Sequence, residues 1–181
     1  MDESHYSYHG DDIKKMALSS LFAALIAVGA YLKIPIPFSP VPITLQVLFI
    51  FLAGAMLGAR WGTLSVIVYL LLGIIGLPVF SGGSSGIGML LGPTGGYLIS
   101  FAIAAFLIGT LSEKKGTSNI LLNATFMIAG LCVIYLLGTS YLSYAASITL
   151  ENAVKVGVLP FLPADLLKLA LASVIVSKYS I

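Results

Sequence analysis

The hydrophobic positions of this chain fall into six long apolar runs separated by short polar or irregular segments. A helix that crosses ~30 Å of hydrocarbon at ~1.5 Å rise per residue requires about 20 apolar residues. The runs are close to this length, and they predict six membrane-spanning helices at roughly 14–32, 43–59, 61–77, 95–111, 120–142 and 161–176. The sequence therefore predicts an all-α integral membrane protein. A single six-helix bundle over residues 14–181 follows a polar N-terminal tail over residues 1–13.

The composition agrees with this class of protein. Hydrophobic residues make up 59% of the chain and charged residues 9%, whereas charged residues are about a quarter of a typical soluble domain. The spans and their connections use nearly all 181 residues, so no room remains for a soluble domain. The polar start with its acids is a poor n-region for a signal peptide, and we expect a disordered cytosolic tail there.

Positive charge predicts the orientation of the bundle, because cytoplasmic flanks carry the excess of Lys and Arg. With the N-terminus inside, two of these residues flank outer ends, Lys33 and Lys155, and Lys168 lies within a span. The other six flank inner ends: Lys14, Lys15, Arg60, Lys114, Lys115 and Lys178. We therefore expect both termini to be cytoplasmic.

Irregular sequence then collects on the outer side, where all eight prolines fall. The Pro-rich first loop, KIPIPFSPVPITLQ, predicts a stiff, non-helical wall, because Pro fixes φ and extends its predecessor. The third loop is Gly-rich, with seven glycines between Gly82 and Gly96, so its backbone N–H groups can approach a ligand closely. We interpret it as a lid or wall, the alternative being a flexible loop. The sequences of both loops predict a ligand-binding site at the outer end of the helix bundle.

Two charges, Asp165 and Lys168, lie one helical turn apart inside the last apolar run. An ion in hydrocarbon costs several kcal/mol, so such residues face a cavity or each other and by default indicate a function. Their i, i+3 spacing also fits a purely structural ion pair. Gln46 and Tyr97 are the next candidates because both lie at outer span ends beside the special loops, although either could simply join helices.

Motifs for most enzyme chemistry are absent. The chain has no G-x-x-x-x-G-K-[ST], so we expect that it does not hydrolyse ATP by itself. It also lacks H-E-x-x-H and G-x-S-x-G, and its two histidines, His5 and His9, lie in the tail without a metal-binding motif. We expect no metal, no cofactor and no nucleic-acid partner. Binding or transport is favoured over catalysis.

Four segments, in order along the chain, resemble the BioY family, the biotin-specific S component of energy-coupling-factor (ECF) transporters. They are PVPITLQ ending at Gln46, GLPVFSGG at 76–83, LLGPTGGYL at 90–98 and VLPFLPADLLK at 158–168. The resemblance covers residues 14 to 178 and implies an S-component fold, high-affinity biotin capture from outside and multi-pass insertion in a prokaryotic plasma membrane. It also implies association with a coupling protein and two ATPases, which fits the missing ATP-binding motif.

The resemblance implies roles for particular residues. The family's acid and lysine fall on Asp165 and Lys168. A ureido ring offers two N–H donors and one carbonyl acceptor, which a carboxylate and an ammonium match chemically. Either loop N–H groups or Lys168 could receive the biotin carboxylate. The remaining substrate contacts expected on this basis are Gln46, Tyr97, Thr94, Gly83 and Ser84.

S components are also expected to dock on the coupling protein through a row of small residues on the first helix. The row falls here on Ser19, Ala23 and Ala27, with Ser20 and Ala24 alongside. Serine replaces alanine at the first position, but it is also small enough to let another helix approach.

Two alternatives to the biotin interpretation remain open from the sequence. The chain could be an S component for a different vitamin, which ligand co-purified with the protein would reveal. It could instead be an intramembrane enzyme that uses Asp165 and Lys168, and recovery of an unchanged ligand would count against that.

Overall fold

The structure, a computed structural model, describes residues 3–179, with side chains described from residue 11 onward. Seven helices and one two-stranded hairpin occur in that range. The helices are α1 (Glu3–Tyr31), α2 (Gln46–Ile74), α3 (Gly88–Leu91), α4 (Gly95–Lys115), α5 (Ile120–Ala145), α6 (Leu150–Gly157) and α7 (Leu162–Lys178). The strands are β1 (Lys33–Ile34) and β2 (Ile43–Thr44), which pair antiparallel. The predicted all-α class is confirmed, with this hairpin as its one small departure in the described range.

Four of these helices are long and apolar enough to cross a membrane: α1 from Asp11 onward, α2, α4 and α5. Helices α6 and α7, bent by 56° at their junction, together form a fifth candidate. Pro160 and Pro163 lie at this bend, where they break the helix. The expected disorder of the N-terminal tail is not found from Glu3 onward, because α1 begins there and runs without a break into the apolar segment.

Helix α2 turns back on itself at Gly58. This residue has φ 79° and ψ −176°, a conformation that glycine adopts without steric cost. Gln46 and Tyr69 are 23 positions apart, a distance of about 34 Å along a straight helix. Gln46 Nε2 nevertheless donates a hydrogen bond to the Tyr69 hydroxyl at 2.7 Å. Helix α2 is therefore two limbs packed side by side, and the turn between the predicted spans 43–59 and 61–77 lies at Gly58.

The core lies where α4 packs against α2 on one side and α5 on the other. Helix α1 covers α2, and α7 closes the bundle between α2 and α5. Glycines permit the closest contacts. A Cβ on Gly54 would lie 2.8 Å from the Ala105 carbonyl oxygen, and one on Gly62 would lie 2.6 Å from the Ala53 carbonyl oxygen.

The two irregular loops are tied to the helices around them. The β1–β2 loop is anchored to α6 by Ser39 Oγ, which donates to the Val156 carbonyl at 2.7 Å. In the Gly-rich loop, Gly86 N donates to the Gly73 carbonyl at 2.7 Å, and the short helix α3 packs against α4. The fold of this loop is consistent with a packed wall rather than an unattached connection. Both loops lie at the same end of the bundle as the start of α7.

Candidate functional site

A cavity lies between the two loops, the first turns of α2, α4 and α7, and the middle of α5. Most of its lining is apolar and includes Val47, Phe101 and Ile134. An apolar cavity with a few convergent polar groups is the usual form of a small-molecule site. The polar side chains that line it are Thr44, Gln46, Ser81, Thr94, Tyr97, Tyr135, Asp165 and Lys168.

The charged pair of α7 forms one wall of this cavity. Lys168 Nζ donates to Asp165 Oδ1 at 2.7 Å, and the Tyr135 hydroxyl of α5 donates to Asp165 Oδ2 at 2.7 Å. Asp165 is 4% exposed and Lys168 6% exposed. The two residues neutralise each other, as a structural pair would, but both also face the cavity. The pair thus forms a polar part of the cavity wall that carries no net charge.

The Gln46 amide is a second polar part of the cavity wall. Gln46 Oε1 accepts a hydrogen bond from Thr44 Oγ1 at 3.1 Å, while Gln46 Nε2 donates to the buried Tyr69 hydroxyl. The Tyr69 ring contacts the Phe80 ring edge to face, with centroids 5.6 Å apart. Phe80 in turn packs where Gly73 has no side chain. This chain of contacts fixes the Gln46 amide against the start of the Gly-rich loop.

Tyr97 connects the cavity to the bend before α7. Its hydroxyl donates to the Gly157 carbonyl at 2.9 Å, at the end of α6. Its ring packs against Gly138 of α5, where a Cβ would overlap the ring. Tyr97 thereby holds α4, α5 and α6 together at the edge of the cavity. Thr94, at the position before α4, also lines the cavity.

The structure does not place all predicted contacts in this lining. Gly83 and Ser84 lie outside it, and Ser81 lines the cavity instead, with a buried hydroxyl that has no hydrogen-bond partner among the described residues. Tyr135 was not anticipated either. Neither carried a signal in the sequence, because Ser81 is one of three serines in a Gly-rich segment and Tyr135 is one of several tyrosines in an apolar run.

The small residues of α1 lie on two faces of the helix, one buried and one exposed. Ser19 and Ala23 are each 2% exposed, and Ser19 Oγ donates to the Trp61 carbonyl at 3.0 Å. These two positions therefore pack inside the bundle against α2, and Ala27 is half-buried. The neighbouring small residues Ser20 and Ala24 are exposed. The face of α1 that is available to another protein is thus the one next to the predicted row.

Comparison with known proteins identifies the family of the chain. A sequence model of the BioY family matches residues 2–180 of the chain. The chain belongs to the BioY family. This confirms the resemblance that the four sequence segments indicated.

Individual BioY proteins match over nearly their whole length. The chain is 44% identical to the biotin transporter BioY of Thermotoga maritima, over 90% of this chain and 94% of that protein. It is also 44% identical to the probable biotin transporter BioY of Pyrococcus horikoshii, over 91% and 95%. A crystal structure of the S component for biotin from an ECF-type ABC transporter superposes with a TM-score of 0.88 at 36% identity, covering 93% of this chain and 92% of that one.

Proposed function

We propose that this chain captures biotin from outside the membrane and acts as the substrate-specific S component of an ECF-type transporter. The observation that carries the proposal is the buried Asp165–Lys168 pair in the wall of a cavity. The chain that contains it aligns over 90% and 91% of its length with two proteins of the BioY family. Those relatives are named as transporters, which favours this function over an intramembrane enzyme.

The chemistry of the pair fits the ureido ring of biotin. That ring is neutral and offers N–H donors on both sides of a carbonyl acceptor. Asp165 can accept from an N–H group, and Lys168 retains N–H donors beyond the one that bonds Asp165. A neutral ligand leaves the buried pair balanced, so no uncompensated charge is created in the low-dielectric interior.

We propose that the bundle crosses the membrane six times, with both termini in the cytoplasm. The turn at Gly58 divides α2 into two limbs that can each make one crossing, and α1, α4, α5 and α7 supply the others. Arg60 follows this turn, and Lys114 and Lys115 end α4, so positive charge collects at one end of the bundle as it does on cytoplasmic faces. The relatives come from bacteria and archaea, which supports a plasma-membrane location.

The chain carries no ATP-binding motif, and we propose that a coupling protein with two ATPases drives the transport step. The docking face that the structure supports best is the exposed row at Ser20 and Ala24 on α1. Small residues let the backbone of a second helix approach closely in a membrane. Ser19 and Ala23 support that face from behind because they fix α1 against α2.

The test is a calorimetric titration of the purified protein with biotin and with two chemically unrelated vitamins. Biotin should bind and the others should not. Asp165→Asn and Lys168→Ala should each weaken biotin binding by about tenfold or more, because each change leaves a desolvated partner unpaired. Tight binding of another vitamin would overturn the biotin assignment, wild-type affinity in both variants would overturn the site, and a chemically altered ligand would favour the enzyme.

A further inference from the structure

The position of the biotin carboxylate is a separate question that rests on the proposed function. Lys168 is a poor partner for it, because its ammonium already lies 2.7 Å from Asp165 Oδ1. A second carboxylate at that ammonium would come close to the first, and like charges repel strongly in a dry interior. Among the cavity-lining residues in the described range, Lys168 is the sole cation. The carboxylate therefore needs a partner at the edge of the cavity or none.

We propose that Lys33, together with the Ser81 hydroxyl, receives the carboxylate of the ligand at the mouth of the cavity. Lys33 on β1 pairs directly with Thr44 on β2, and paired residues of antiparallel strands place their side chains on the same face. Thr44 lines the cavity. The Lys33 side chain therefore leaves the hairpin on the same face as Thr44 and lies beside the cavity, outside its lining.

The Lys33 ammonium lies against the backbone of Gly82, where a Cβ would overlap it. Gly82 follows Ser81 directly, so the ammonium is within roughly 7 Å of the Ser81 Cα, given a Cα–Cα separation of ~3.8 Å. Ser81 lines the cavity, and its buried hydroxyl has no hydrogen-bond partner among the described residues. An ammonium and an unpartnered hydroxyl thus flank the same edge of the cavity, a donor set suited to a carboxylate.

The lining also indicates which end of the ligand lies at this edge. Asp165 and Lys168 are buried, whereas Val41, Pro42 and Ser81 of the two loops are half-buried. The loops therefore form the mouth. With the ureido ring at the buried pair, the aliphatic chain of biotin crosses the apolar lining and its carboxylate reaches the loops.

The two outer lysines differ in a way that supports this role. Lys155 forms an ion pair with Glu151 at 2.5 Å, whereas Lys33 has no carboxylate within 4 Å in the part of the chain that the structure describes. Gly82 has φ 70°, so a side chain at this position would be both strained and in the place of the ammonium. A cation without a protein partner beside the cavity is available to a ligand anion.

The test compares biotin with its neutral primary amide by calorimetric titration. Wild-type protein should bind the acid about five- to tenfold more tightly than the amide, in the range of a partly exposed charged contact. Lys33→Gln should lower acid affinity to the level of the amide and leave amide affinity unchanged. Lys155→Gln, a change at the paired outer lysine, should keep the wild-type preference. Unchanged amide affinity shows that the Lys33 variant is folded.

Two results would overturn the assignment of the carboxylate site. One is a preference for the acid that persists in Lys33→Gln, and the other is a wild-type protein that does not distinguish acid from amide. Failure of the wild-type protein to bind either compound would instead overturn the proposed function, so the two failures are distinguishable.

Discussion

Removing the ammonium from the buried pair, in Lys168→Met, should destabilise the fold strongly while keeping most of the side-chain volume. Asp165 would keep its hydrogen bond from Tyr135 at 2.7 Å but lose its only counter-charge in the described structure. The side chains of Lys168 and Asp165 are 8% and 6% exposed, so water replaces the lost partner only in small part. Breaking such a buried pair costs about 3 to 5 kcal/mol.

The assay is thermal unfolding of the detergent-purified protein. A loss of about 3 kcal/mol corresponds to a fall of roughly 6 to 12 °C in melting temperature for a chain of this size. The matched control is Lys155→Met, which breaks the exposed pair with Glu151. The side chains of Lys155 and Glu151 are 57% and 76% exposed, so this control should lower the stability by at most about 1 kcal/mol.

The double variant Asp165→Asn/Lys168→Met separates charge from packing. It contains no buried ion, and the amide oxygen can still accept from Tyr135, so most of the lost stability should return. Biotin binding should stay weak in the single and the double variants. The reasoning fails if Lys168→Met melts at the wild-type temperature, or if the double variant is destabilised by the sum of its two single changes.

Two further predictions concern docking and orientation. Ala24→Trp, at an exposed position, should abolish biotin uptake by cells but leave biotin binding by the purified protein intact. Ala23→Trp, at a buried position, should impair folding and binding as well. Normal uptake by the Ala24→Trp variant would exclude this docking face. The orientation can be tested in a Cys132→Ser background, which removes the exposed native thiol. An impermeant thiol reagent added to intact cells should label the Ser85→Cys variant but not the Ser118→Cys variant. The opposite labelling would reverse the orientation.

The long helices were predictable from the sequence because an apolar run marks them without knowledge of their neighbours. Helices α4 and α5 begin at Gly95 and Ile120, where the apolar runs begin. Helix α6 was missed because it has eight residues and charged side chains, too short for a span. The turn at Gly58 depends on a distant partner, since Glu113 Oε1 accepts from Ala59 N at 2.9 Å, 54 positions away along the chain.

The candidate site was likewise predictable from the sequence only where a residue stands out from its local surroundings. The pair at Asp165 and Lys168 could be selected from the sequence because charge in an apolar run is costly wherever it lies. Tyr135 reaches Asp165 across 30 positions of sequence, and no local pattern encodes that contact. On α1, periodicity identified small residues but not which of them face α2, and Ser19 was assigned to a docking surface although it bonds Trp61 within the bundle.

The Gly-rich loop also completes two helices. Gly82 N donates to the Ala30 carbonyl at 3.2 Å, and Gly86 N donates to the Gly73 carbonyl at 2.7 Å. Both carbonyls lie in the last turn of a helix, where the i+4 donors of the helix run out, although the Gly73 carbonyl also accepts from Gly76 N at 3.2 Å. Lifting this loop would remove these hydrogen bonds from the ends of α1 and α2. The Gly-rich loop is therefore expected to move together with these helices. The β1–β2 loop is held to α6 by the Ser39 hydroxyl. We expect the cavity to open on the side of the β1–β2 loop, because fewer hydrogen bonds are lost there.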